Sequence, residues 1–507
     1  MNAQSLFGFA VMILLILPNA NRRKSEHAPQ PQRSERDTGA RPGNSVKIST
    51  LAAGIGLLLL IAVAFWRSLF FYFLSDEFVL VKIANSFHRE DLWATLTRAG
   101  GDGFFRPAGY ISLWANACWS GYRPILWHIS NLSLHAANST LMFLVALRFC
   151  SNRGAAFLAA LIFALHGSRP EAVIWTAARF DLLAAFFFLS AFLFFLRHYQ
   201  TGLRSALLAS MLGLFLALLS KETAYVFPLL LVLFLAIKQD FSRHSLRMLA
   251  PYWILTILLF VYRWTLLSGV GGYLNPRTGA PEFLDLGFIS SLKALGLRAW
   301  AALFFPINWS VEPNFVLAFL LVANVGCLIC LTHSRSGGRL FTFAAGFALL
   351  SALPAVTQLS LGADLQKSRL LYLPSAGFAL LIALAVERLQ TKYLRWLVAS
   401  ILVAFHLAAL NHNLNIWRDV ATLADRVCAA AAAKVSPATT KVIVLGLPGS
   451  LNGVYFFANG FPECVQMHAA KASDNVEVFA GPASAQSNSG TVVLVWDPVT
   501  QNLSQLH

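Results

Sequence analysis

Long apolar runs separated by short polar segments recur along the chain. Most are long enough to cross a hydrocarbon core as a helix. The pattern predicts spans near 49–74, 125–148, 154–168, 180–197, 203–220, 222–238, 247–268, 314–333, 339–358, 371–388 and 395–411. Two stretches fit the pattern less simply. The run at 6–17 (LFGFAVMILLIL) has no Lys or Arg before it, so it is a poor secretory signal and reads as a short extra span or an over-extended start. Residues 288–305 are apolar but interrupted by Lys293 and Arg298, and read as an interfacial helix. Beyond Pro437 the pattern changes. The stretches 441–447 (KVIVLGL), 476–480 (VEVFA) and 491–496 (TVVLVW) read as strands punctuated by Gly, Asn and Pro. The predicted fold class is an all-α polytopic membrane protein of about eleven transmembrane helices, with a small C-terminal α/β domain outside the membrane. Three regions follow: an apolar stretch and disordered basic arm (1–48), a transmembrane domain (49–417) with a long first outer loop (75–124), and a C-terminal domain (418–507).

Composition agrees. The chain is 57% hydrophobic and 12% charged, about half the charge of a soluble domain, which excludes a water-soluble enzyme. The net charge is +16, and its distribution gives an orientation. The segment 21–47 and the short loops at 148–153, 197–204, 238–247, 335–339 and 387–395 together hold nineteen Lys/Arg against five Asp/Glu. By the positive-inside rule they face the cytoplasm. The long loops 75–124, 168–180, 269–313 and 359–370, and the tail from about 412, then lie on the opposite side. The excess charge is a topology signal, and no basic patch on a folded domain points to nucleic acid. Of the six cysteines, Cys327 and Cys330 have CxxC spacing inside a span and read as packing residues, whereas Cys428 and Cys464 fall on the outer side, where they are able to pair. The segment LPGSLNG after the first strand lacks a phosphate loop's Lys and reads as an ordinary turn.

Candidate chemistry clusters at the outer ends of the spans. Leu74-Ser75-Asp76-Glu77-Phe78 sits where the first span leaves the membrane. Two adjacent carboxylates there serve either as helix caps or as a base or metal ligand at head-group level. Then come Phe105-Arg106-Pro107, Trp127-His128, His135 and Asn138, Leu165-His166-Gly167-Ser168-Arg169-Pro170-Glu171, Arg179-Phe180-Asp181, Ser220-Lys221-Glu222 and Lys367-Ser368-Arg369-Leu370-Leu371-Tyr372. A channel or transporter places ionisable groups near the midplane. These spans are nearly free of charge, with Arg263 close enough to a span end to snorkel. Each site residue also has a plainer reading: Trp127 and Trp175 suit an interfacial aromatic belt, His135 a satisfied core residue, and Lys221-Glu222 an anchor for a span end.

The ordered series resembles the polytopic GT-C glycosyltransferases, and most closely the branch of protein O-mannosyltransferases and transmembrane/tetratricopeptide mannosyltransferase-like proteins. The resemblance covers roughly 49–417 and rests on the acidic pair, FRP, the His–Asn second span, PEAVIW–ARFDLLA, SKE and SRLLYLPSAG. Two features depart from the branch: Pro170 is displaced from His166-Gly167, and the tail is α/β-like in place of tetratricopeptide repeats. The resemblance implies inverting single displacement from a polyprenyl-phosphate-linked sugar to an acceptor hydroxyl on a protein, glycolipid or cell-envelope glycan. It implies Asp76 as general base, with Glu77 orienting it. Arg369, with Lys367 behind it, would take the leaving phosphate, and Arg106 and Lys221 are further phosphate candidates. His128, His166, Glu171, Asp181, Glu222 and Tyr372 would line the substrate. No organic cofactor is implied. A divalent cation, Mg or Mn, is optional, with Glu77 and Glu171 as its candidate ligands. The expected location is a bacterial inner membrane, with catalytic loops and C-terminus on the periplasmic side. A flippase or an O-antigen-ligase-like protein is the alternative class.

Overall fold

The computed structural model describes residues 43–98, 103–272, 298–308, 338–356, 364–435, 439, 441–469, 477–481 and 491–505. The expected spans 314–333 and 6–17, and most of 288–305, lie outside them.

The described membrane region is helical throughout. Helix α1 (Gly43–Phe65) continues into a 3-10 turn (Trp66–Phe70). The first loop is itself folded into α2 (Asp76–Ser86), α3 (Asp91–Thr97) and α4 (Pro107–Ser120). Helices α5 (Pro124–Ala146) and α6 (Arg153–Leu165) follow, and the short α7 (Arg169–Val173) lies in the second loop. Next come α8 (Arg179–Thr201), α9 (Arg204–Leu218), α10 (Phe227–Lys238) and α11 (Arg243–Leu267). After α12 (Ala299–Phe304) come α13 (Gly338–Ala352), α14 (Pro374–Glu387) and α15 (Lys392–Ala432).

Among the described residues, five helices are long and apolar enough to cross a membrane: Leu51–Phe70, Thr176–Thr201, Arg243–Leu267, Gly338–Ala355 and Lys392–Ala432. Arg153–Leu165, Arg204–Leu218 and Pro374–Glu387 are shorter apolar helices. The expectation of eleven full crossings is thus met only in part among the described residues. Exposed Leu58, Leu59 and Val63 on α1, and Ile254, Ile257, Leu258 and Val261 on α11, form apolar faces suited to lipid contact.

Local sequence explains the ends of these helices. Asn152, Ser242 and Thr391 are N-caps whose side chains accept from backbone amides of the first turn, and Gly202 closes α8 in the left-handed conformation. Aromatic stacking fills the core at one end of the bundle, where Phe149 stacks on Phe343 at 4.7 Å and on Phe192 at 6.2 Å.

One long helix runs through the expected boundary. A span was expected to end near 411, with the C-terminal domain from 418, and α15 continues unbroken across both positions for 41 residues. At 1.5 Å per residue it is about 60 Å long, roughly twice the thickness of a hydrocarbon core. Its second half carries Arg418, Asp419, Asp425 and Arg426 and belongs with the C-terminal domain.

That domain is a four-stranded sheet of order β4-β1-β5-β6, from β1 (Lys441–Leu445), β4 (Glu477–Gly481), β5 (Thr491–Asp497) and β6 (Asn502–Gln505). Strand β1 is parallel to β4 and β5, with Val442 opposite Val478 and Val492, and β6 returns antiparallel to β5. The LPGSLNG segment ends in a separate hairpin, β2 (Ser450–Leu451) and β3 (Val454–Tyr455), turned at Asn452 and Gly453. Both turn residues have positive φ, the Asn-Gly signature of a two-residue hairpin loop. Helix α16 (Phe461–His468) follows and is joined to α15 by the Cys428–Cys464 disulfide.

Candidate active site at the loop end of the bundle

Trp175 organises the site. It precedes a 3-10 turn (Thr176–Ala178), and its side chain is buried. Its indole Nε1–H donates to the Leu74 carbonyl at 3.1 Å, so the second loop is tied to the turn that presents Asp76. The Arg369 guanidinium lies over one aromatic surface of Trp175, 4.7 Å from the ring centroid. Tyr455 of the C-terminal hairpin stacks on the same indole at 4.9 Å and 15°. An interfacial-belt role for Trp175 does not fit its burial. Trp127 is likewise buried, and its Nε1–H donates to the Gly121 carbonyl.

Asp76 and Glu77 occupy the first turn of α2 but do different things. Glu77 is buried: its Oε2 accepts from the Leu74 amide at 2.7 Å and its Oε1 from the Thr176 amide at 2.5 Å. It is a bracket between the two loops. Burial pushes its carboxyl up to about 7, against the two amides that favour the charged form. Asp76 is partly exposed, and its Oδ1 accepts from the Asn459 amide at 2.7 Å. Ser75, just before it, adopts φ 49° and ψ −120°, a backbone conformation uncommon for a residue with a side chain.

The remaining candidate acids and bases are paired across loops. Glu171 on α7 pairs with Arg369 and accepts from the Ser368 hydroxyl at 3.2 Å. Lys221 and Asp181 form a buried pair at 2.6 Å. Glu222 receives Arg106 through both Nε and Nη2, at 3.1 and 2.7 Å, and Arg263 at 3.2 Å. Arg263 is therefore one arm of a part-buried triad with Glu222 and Arg106, a correction to the snorkelling expected of it. Lys221 lies within electrostatic reach of both Arg106 and Arg369. Three cations thus face one region, each held by its own carboxylate.

The candidate histidines His128, His135 and His166 all face protein groups. The ring nitrogens of His128 lie 3.0 and 3.1 Å from the carbonyls of Ile174 and Phe71. Those of His166 meet the Ser168 hydroxyl and the Leu303 carbonyl, both at 2.8 Å. His135 bridges the Ala164 carbonyl and the Tyr372 hydroxyl, which also accepts from Asn138. In this arrangement neither His128 nor His166 presents a ring nitrogen to a substrate, and Tyr372 is a buried link between spans. Lys367 adopts φ 70° and caps the 3-10 turn (Ser368–Leu371) that aims Arg369.

Each candidate cation ligand is engaged by protein groups. Both Glu77 oxygens hold amides, and Glu171 holds Arg369 and Ser368. Among the described residues, the one group of three His/Cys/Asp/Glu side chains close enough to share an ion is Cys428, Cys464 and His468, whose cysteines form the disulfide.

Sequence reasoning missed four participants. Arg169 and Arg179 are buried guanidiniums without carboxylate partners among the described residues. Arg179 donates to Asn131 and Asn116, while Arg169 donates to Phe163 and Ser375 and lies over Tyr372. Their motifs, ARFD and SRPE, were visible, but their burial was not. Tyr455 and Asn459 carried no local signal beyond the Asn-Gly turn beside them.

No protein-family profile matches the chain. In sequence it is similar to protein O-mannosyl-transferases. TMTC3 of Homo sapiens is 23% identical over 438 residues, covering 75% of this chain and 47% of that protein. TMTC4 of Homo sapiens is 27% identical over 373 residues, covering 59% and 49%. Tmtc1 of Drosophila melanogaster is 34% identical over 137 residues, covering 27% and 16%. The chain spans about half the length, or less, of these curated relatives. The matches bear out the resemblance read from the motifs, to the transmembrane/tetratricopeptide branch of the GT-C glycosyltransferases. Among solved structures, ArnT from Cupriavidus metallidurans bound to undecaprenyl phosphate aligns with 90% of this chain and 94% of that one, at TM-score 0.37 and 14% identity.

Proposed function

We propose that this protein is a membrane glycosyltransferase that moves a sugar from a polyprenyl-phosphate donor to an acceptor hydroxyl by inverting single displacement. The observation that carries the reading is the meeting of opposite chemistries on one side chain. The turn bearing Asp76 and the Arg369 guanidinium are both anchored on Trp175. A base and a phosphate-binding cation on adjoining loops are what the reaction requires.

In the proposed step the acceptor oxygen forms a bond to the anomeric carbon. The bond from that carbon to the phosphate oxygen breaks, and its electron pair leaves with the polyprenyl phosphate. The acceptor proton passes to the Asp76 carboxylate. Arg369 stabilises the charge growing on the phosphate: a guanidinium has five N–H donors, and Glu171 engages one side of it. Lys221 and Arg106 add positive potential from behind their own carboxylate partners. No step is routed through a cation.

The names of the relatives make mannose the first sugar to try and a protein hydroxyl the first acceptor. The Cys428–Cys464 disulfide supports an oxidising compartment for the C-terminal domain, consistent with a periplasmic face of a bacterial inner membrane. The test is Asp76→Asn in membranes. It should abolish transfer at unchanged expression and insertion, and near-wild-type transfer sinks the assignment of the base.

A further inference from the structure

The C-terminal hairpin reaches further into the site than a tethered accessory domain needs to. Ser75 donates its amide to the Phe456 carbonyl at 3.1 Å, and its hydroxyl accepts from the Asn459 amide at 3.3 Å. These two bonds hold the unusual Ser75 conformation from the far side. The Asn459 side chain then donates to Asp76 Oδ1 at 2.7 Å. Phe457 stacks on Phe78 of α2 at 6.1 Å and 17°. Gly460, at φ +82°, packs so closely on the Ser75 carbonyl that a Cβ has no room. Tyr455 stacks on Trp175 and lies under Arg369, whose guanidinium is 5.5 Å from its ring. One short segment therefore touches both the carboxylate and the guanidinium that the transfer step needs.

We propose that the hairpin and loop Ser450–Gly460 of the C-terminal domain form the third wall of the transfer site, with Asn459 positioning the Asp76 carboxylate and Tyr455 bracing Arg369. This rests on the functional reading above. The carboxylate's second oxygen faces the acceptor while Asn459 holds the first. Tyr455 fixes the guanidinium plane against Trp175, so Arg369 meets a phosphate with little reordering. The acceptor accordingly enters alongside this hairpin, and the C-terminal domain sets which acceptors fit.

The test uses the full chain in detergent or nanodiscs. Isotope-edited infrared spectra of each protein, subtracted from its Asp76→Asn counterpart, follow the Asp76 carboxylate whether or not a substrate is known. In Asn459→Ala this carboxylate stretch should move from its wild-type position at neutral pH, as expected when one hydrogen bond to a charged group is lost. The kcat of transfer should fall with little change in donor KM. Tyr455→Ala should raise the donor KM about tenfold or more with a smaller effect on kcat, and Tyr455→Phe, which keeps the stack, should recover most of that loss. A carboxylate band and a kcat that superimpose on wild type in Asn459→Ala overturn the positioning role. An unchanged donor KM in Tyr455→Ala overturns the bracing role. If wild type moves no sugar from any donor while the infrared shift appears, the function is wrong and the positioning contact stands.

Discussion

Replacing Glu77 with Gln tests the bracket that holds the first and second loops together. The carboxyl is buried, and its ordinary value of 4.5 is raised to about 7, chiefly by burial. Between these two values the folded protein holds a proton that the unfolded chain has released. The folded state binds more protons there, so its stability falls as pH rises through the window. Below about 4.5 the group costs nothing. Above about 7 the full cost applies, about 3 kcal/mol from a shift of this size at 1.36 kcal/mol per unit. Glu77→Gln carries no charge to bury, so this contribution disappears. Its carboxamide can accept only one of the two amides, Leu74 or Thr176, and the orphaned donor costs about 1–3 kcal/mol at every pH. Wild type should therefore be the more stable at pH 5, and the gap should narrow or reverse by pH 7.5. The assay is thermal unfolding of purified protein in detergent, followed by Trp fluorescence across pH 4.5–7.5. Parallel pH profiles for wild type and variant refute the reasoning.

Three further outcomes follow from the same contacts. Arg369→Ala should raise the apparent donor requirement without changing acceptor dependence, read from initial rates at varied donor; a change confined to the acceptor contradicts the phosphate role. Lys221→Met leaves the Asp181 carboxylate buried and unpaired, which should cost about 3–5 kcal/mol. The double variant Lys221→Met/Asp181→Leu should recover much of that, and additive losses in the thermal assay argue against the pair. Cys428→Ser removes a crosslink over a sequence separation of 36, about 4 kcal/mol in the chain-entropy account. Limited proteolysis should then cut the C-terminal domain first, and an unchanged digest contradicts the tether.

Much of the scaffold was legible because bilayer spans are written as length and apolarity. The positions of α5, α8, α11 and α14 follow the apolar runs within a few residues. The strands at 441–445, 477–481 and 491–497 announce themselves by β-branched residues between Gly and Asn. The continuity of α15 beyond its span was not legible for a physical reason: polarity rises at Asn411-His412-Asn413, which marks an exit from an apolar phase, while the Ala-rich run that follows keeps helical propensity high. The site was legible only as a list of chemical types. Asp76 stands out as the first acid after a span, but its partner Asn459 lies 383 residues away. Arg369 and Glu171 are 198 apart and Arg106 and Glu222 are 116 apart, pairings that only tertiary packing determines. For the same reason the histidines looked available in sequence and proved to be occupied by backbone carbonyls and hydroxyls.

The central claim is that the groups gathered around Trp175 transfer a sugar from a lipid phosphate. Membranes containing the protein are incubated with a panel of prenyl-phosphate sugars, each labelled in the sugar, and the label is followed into protein, glycolipid and polymer fractions. The account predicts that one donor's label moves to an acceptor with wild-type protein and stays on the lipid with Asp76→Asn. Label that moves equally with both proteins, or crosses the bilayer still attached to its lipid, contradicts it.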